Sequence, residues 1–133
     1  MWRKLRRLGV AQLLDGLVAL PLDARTREQL EWVADEIVDA GGEATVWFGR
    51  VGSKIQEREI ARSMQQTVAA EYDAVIDEAN RSAGLPETDR RRVHARLRRE
   101  LQRIAGRDHF PPAEREIARR AVRELGARMG VAP

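Results

Sequence analysis

The chain contains no cysteine, which removes disulfides, zinc–thiolate centres and thiol nucleophiles from consideration. Histidine is scarce too. His94 and His109 stand far apart, so a histidine-based metal site is not expected. No apolar run approaches the roughly 20 residues that span a bilayer. The basic start, Met1-Trp2-Arg3-Lys4, leads into no apolar core of the kind a secretory leader carries. These features predict a cytoplasmic protein that is not inserted in a membrane. Lysine is nearly missing, at Lys4 and Lys54 only, so arginine carries almost all the positive charge. That bias fits a GC-rich bacterial coding sequence as well as it fits bidentate phosphate contacts.

What remains is 133 residues, 34% of them charged, with a net charge of +3. This suits one compact domain or a small domain with a helical extension. The charge is uneven. Residues 1–53 hold 7 basic and 8 acidic side chains, and residues 54–133 hold 17 and 13.

Trp2, Leu5 and Leu8 recur at helical spacing, and Gly9 stops a short first helix. Val10 to Leu20 is mostly apolar around Asp15-Gly16, a dipeptide that closes a hairpin or marks a bulge. Strands are predicted at 11–14 and 17–20. Pro21 ends the second, and Asp23 or Thr26 caps a helix running to about Ala40. Its stripe is Leu30, Val33, Ala34, Ile37 and Val38. After Gly41-Gly42, Glu43 to Phe48 favours a further strand. Trp32 and Trp47 are expected to pack on the domain. Gly49 to Ser53 is a linker; its resemblance to a phosphate loop fails on spacing.

Three amphipathic helices follow. The first, 54–80, lines up Ile60, Met64, Val68, Tyr72, Val75 and Ala79. The second starts at a Thr88 cap and lines up Val93, Leu97, Leu101 and Ile104. The third begins at Pro112 and lines up Ile117, Ala121, Leu125 and Met129. The predicted organisation is an α/β unit over 1–49 and a helical region over 54–133, packed together as one α+β domain.

Two basic clusters are candidate anion sites. Arg3, Lys4, Arg6 and Arg7 line the polar face of the first helix. Arg92, Arg96, Arg99 and Arg103 fall four, three and four apart and share one helix face. Either suits a phosphate backbone or an oxyanion. The competing reading is solvated surface charge, with the second cluster paired to Glu57, Glu71, Asp77 or Glu78. Asp108-His109 invites a catalytic reading, but no Ser, Thr or Cys nearby awaits activation. A loop with Phe110 in the core and Asp108 as a cap is the plainer expectation. With no nucleophile–base pair, metal cluster or cofactor motif, a non-enzymatic protein without cofactor or metal is predicted.

The run Trp2-Arg3-Lys4-Leu5-Arg6-Arg7-Leu8-Gly9, then Leu14-Asp15-Gly16-Leu17 and Leu20-Pro21, resembles the N-terminal domain of the bacterial chromate-resistance protein ChrB. The likeness continues through Arg27 to Trp32, Gly41 to Ala44, Glu71-Tyr72 and Arg107 to Phe110. It is more distantly similar to the ferredoxin-like region of PaaX-type repressors. The resemblance implies a ferredoxin-like sheet unit and a regulator that senses chromate and controls an efflux operon. It thereby implies DNA and chromate, or a similar oxyanion, as partners. Those families place an apolar strand ahead of the first helix, whereas Met1 here adjoins the helix directly. A sheet lacking that neighbour leaves an edge that favours a homodimer. The alternative expectation is an accessory interaction domain without DNA binding.

Overall fold

A computed structural model describes residues 1–130, with side chains described through Ala127. Helix α1 covers Trp2–Leu8 and buries none of its residues fully. A helix of seven residues is marginal by itself and depends on docking. It packs on the next helix, where the Lys4 ammonium pairs with Glu36. Gly9 ends α1 at φ 77°, a left-handed conformation that spares the chain a Cβ clash, and its N–H donates to the Arg6 carbonyl.

Strands β1 (Ala11–Leu14) and β2 (Leu17–Ala19) form an antiparallel hairpin. Asp15-Gly16 closes it, with Gly16 at φ 78°. The register pairs Gln12 with Val18 and Leu14 with Leu17, leaving Leu13 as the extra residue of an irregular ladder. The turn reading of Asp15-Gly16 therefore holds, while the irregularity falls earlier, inside β1.

Helix α2 spans Ala24–Asp39. Asp23 and Thr26 are one device rather than two alternatives. The Asp23 carboxylate accepts from the Thr26 N–H at 2.8 Å, and the Thr26 hydroxyl accepts from the Asp23 N–H at 3.1 Å. Of the predicted stripe, Val33 is buried and Leu30, Ala34 and Ile37 are half-buried, while Val38 is exposed.

The predicted strand over Glu43 to Phe48 is not formed. Among the described residues the sheet has two strands, and 43–48 belongs to neither. Thr45, Val46, Trp47 and Phe48 do favour β structure. That preference is realised only against a neighbouring edge, and here the segment lines the same cleft as β2 without pairing to it. The expected packing of the tryptophans fails with it: Trp47 is 83% exposed and Trp32 61%. The fold is thus mixed α and β but mostly helical.

Helices α3 (Lys54–Arg81), α4 (Glu87–Gly106) and α5 (Glu114–Gly130) complete the described chain. The chain divides into two compact units, 1–64 and 65–133, with the boundary inside α3. The first unit buries only Val33 among its apolar side chains. The second contains a continuous core of Val68, Tyr72, Val75 and Ala79 from α3, Leu97 and Ile104 from α4, and Ala118, Val122 and Leu125 from α5. Three sequence expectations shift here. The cap of α4 is Pro86, so Thr88 lies within the helix. Helix α5 starts at Glu114 and turns Ala118 and Val122 inward, leaving Ile117 about half exposed. The side chain of Met129 lies outside the described residues.

Candidate functional site

The eight cations singled out by pattern divide into two groups. On α1, Arg3, Arg6 and Arg7 are exposed and have no carboxylate partner among the described residues. Lys4 instead forms the ion pair with Glu36 on α2.

The division on α4 is sharper. Its apolar positions Val93, Leu97, Leu101 and Ile104 face the core. A period of 3.6 residues then places Arg92, Arg96, Arg99 and Arg103 together on one side of the helix, away from that stripe. Arg92 and Arg99 are exposed and carry no ion pair among the described residues. One rise of seven residues separates them by about 10 Å along the helix. Arg98, absent from the stripe picked out by spacing, is exposed and unpaired as well. It lies about 100° round the helix from Arg99, on the side of His94 rather than in that stripe, and reading the whole solvent side rather than one stripe identifies it.

Arg96 is held differently. Its guanidinium grips both carboxylate oxygens of Glu78 on α3, one contact measuring 3.0 Å. This fork holds the Glu78 carboxyl below its ordinary pKa, first through the hydrogen bond from Arg96, and raises Arg96 by the same hydrogen bond. Arg103 binds Glu100 three residues earlier at 2.8 Å. Glu100 also lies 3.6 Å from Arg107, which hydrogen-bonds both oxygens of Glu71 at 2.9 and 3.1 Å. Of the carboxylates proposed as partners from sequence, Glu78 and Glu71 serve, and the arginines are Arg96 and Arg107.

Around Arg107 to Phe110 the loop is positioned by its charged residues. Asp108 is not a helix cap. Its side chain is fully buried and its Oδ2 accepts a hydrogen bond from the Tyr72 hydroxyl at 2.8 Å, with Arg115 at 3.8 Å. Phe110 is half-buried and lies outside the central cluster. His94 sits against α5 where Gly126 leaves room; a Cβ there would come within 2.5 Å of the His94 Nε2. Burial, then the charge of Arg98, lower the His94 pKa.

A separate feature lies in the first unit. A cleft of about 1110 Å³ is lined by Leu13, Val18, Leu30, Ile37, Val46 and Phe48 among others, and by none of the eight candidate cations. Arg27 lies over the Phe48 ring at 4.7 Å from its centre, holding a cation against the exposed aromatic.

The described residues contain no cluster of histidine and acidic side chains able to hold a metal ion, and no helix among them is long and apolar enough to cross a membrane. What the basic faces can do chemically is bind anions: exposed guanidinium groups donate paired hydrogen bonds to phosphate or other oxyanions.

No curated protein and no solved structure matches the chain. The family model described as "Protein ChrB, N-terminal" matches residues 1–91, from α1 into the first turns of α4. The match takes in Arg3 to Arg7 and stops short of Arg92, Arg96, Arg99 and Arg103. Because it covers more than half of its length, the chain belongs to the ChrB N-terminal family and is a protein related to chromate resistance.

Proposed function

We propose that the chain is a non-enzymatic, cytoplasmic regulator of chromate resistance that binds DNA through the exposed arginines of α4, with the α1 arginines as a second contact region. The observation that carries this is the α4 surface itself. Arg92 and Arg99 stand exposed without a carboxylate partner among the described residues, and no acidic residue lies between them in the sequence. Such a surface contacts phosphates and positions a protein without reading sequence. Chromate, a tetrahedral dianion, offers the same oxygens to the same guanidinium groups, so it would compete for them as effector. A ferredoxin-like first unit and a homodimer belong to this reading. The order helix, hairpin, helix and the open edge of β2 support them.

The accessory-domain reading draws on a different observation: Arg96, Arg103 and Arg107 are already engaged by Glu78, Glu100 and Glu71. Binding of the protein to its own promoter duplex and to a scrambled duplex, across a salt series with and without chromate, separates the two. DNA binding that weakens steeply with salt, is released by chromate and drops in Arg92→Ala and Arg99→Ala supports the regulator. No binding at low salt removes the regulator and points to the accessory domain instead.

A further inference from the structure

We propose that Glu78 and Glu100 are built-in attenuators of the α4 phosphate-binding face, each withholding an arginine that would otherwise contact the DNA backbone. This deepens the DNA-binding reading and rests on it. The pattern of α4 places four arginines on one side, yet the structure leaves Arg92 and Arg99 open while carboxylates engage the two that alternate with them. Arg96 is clamped by Glu78 from the neighbouring helix, and Arg103 by Glu100 of its own helix.

The two clamps differ in reach. The Glu78 fork uses both carboxylate oxygens and spans 18 residues of sequence, so it also fixes α4 against α3. Glu100 divides its oxygens between Arg103 and Arg107, and Arg107 keeps a second anchor in Glu71. Releasing Glu100 therefore frees Arg103 while Arg107 stays in place.

All four partners of the two clamps are partly solvent-exposed. Water has access to these pairs, so the attraction within each is modest and a phosphate can displace the carboxylate. A backbone phosphate approaching Arg96 or Arg103 must first break such a pair, and the carboxylate left behind repels it. Neutralising the carboxylate with an isosteric amide removes both obstacles. The face then offers four arginines instead of two.

The test compares the intact chain with Glu78→Gln and Glu100→Gln by fluorescence anisotropy on a short labelled DNA duplex over a salt series. Asp77→Asn is the control. It removes one negative charge beside Glu78, but Asp77 holds no arginine among the described residues. Each glutamine variant is expected to bind about two- to fivefold tighter, the range an exposed ion pair accounts for. Each should also steepen the dependence of log affinity on log salt by about one. Asp77→Asn should leave both unchanged, and Glu78→Gln combined with Arg96→Ala should lose the gain. Thermal melting confirms that each variant is folded.

If the intact chain binds and the glutamine variants do not bind more tightly, the attenuators are overturned while DNA binding stands. An equal gain in Asp77→Asn overturns them also, as a bulk charge effect. If neither the intact chain nor any variant binds at low salt, both the DNA reading and the attenuators fall.

Discussion

The Tyr72 hydroxyl donates a 2.8 Å hydrogen bond to Asp108 Oδ2, joining the middle of α3 to the loop before α5 across 36 residues of sequence. Tyr72 is 1% exposed, the Asp108 side chain is fully buried, and Asp108 Oδ1 has no hydrogen-bond partner among the described residues. Removing the phenol oxygen with Tyr72→Phe takes away the short bond to a buried carboxylate. The expected loss is about 1–3 kcal/mol, the cost of leaving a buried polar group unsatisfied. Urea unfolding should show a lower midpoint with an unchanged slope. Equal midpoints for the two proteins would show that the bond contributes nothing to stability.

Tyr72 is the only tyrosine, so its titration is directly visible by ultraviolet absorbance. Burial first, then the hydrogen bond and charge of Asp108, push its pKa up to about 12. The unfolded phenol ionises near 10, so above that pH the unfolded state is favoured increasingly and stability falls. In the folded protein the absorbance step should come near 12, and Asp108→Asn, which removes the charge but keeps the burial, should lower it only part of the way. A step near 10 in a protein shown to be folded would contradict the buried arrangement.

The contrast between Ile104 and Trp47 shows which parts of the fold were legible in the sequence. Ile104 lies on an uninterrupted 3.6-residue stripe, and the stripe determines which face of α4 is buried regardless of what packs on it. The hairpin and the α2 cap were legible for the same reason, since Asp15-Gly16 and Asp23 act on their own neighbours. Trp47 and the strand predicted around it depend on a pairing edge, and no local pattern encodes where that edge lies. The candidate site divides in the same way. Spacing put Arg92, Arg96, Arg99 and Arg103 on one face, but pairing of Arg96 with Glu78 depends on how α3 and α4 meet. Ile104→Ala should cost about 2–5 kcal/mol as a cavity in a packed core. Trp47→Ala, at 83% exposure, should stay within about 0.5 kcal/mol. Chemical denaturation of both variants checks the pair, and a large loss for Trp47→Ala would mean that this side chain is buried in solution.

At the α2 terminus, Asp23→Ala removes one half of the reciprocal cap. The Thr26 N–H loses its acceptor, and the Thr26 hydroxyl keeps its bond to the Pro21 carbonyl. The expected loss is about 1 kcal/mol. It should fall on residues 1–64, where only Val33 among the apolar side chains is buried, so hydrogen exchange should quicken in α2 before it changes in α4 or α5. Uniform acceleration along the chain would instead make the two units one cooperative block.

His94 and Glu78 give the second unit two separate pH responses of the same sign. His94 has its pKa lowered in the fold by burial and by Arg98, so the unfolded chain takes up a proton first as pH falls below the ordinary 6.5. Its contribution is therefore constant above that value and declines below it, until the depressed folded pKa is passed. Glu78 is lowered by the hydrogen bond from Arg96. Its stabilising contribution is present above the ordinary 4.5 and is lost as pH falls through the folded value. Stability should thus decline in two stages on acidification, the first starting near 6.5 and the second near 4.5. His94→Gln should abolish the first stage and leave the second; Glu78→Gln should do the reverse. The midpoint of urea unfolding measured at closely spaced pH values distinguishes them. Persistence of the first stage in His94→Gln would assign it to another group and detach it from the contact between His94 and Gly126.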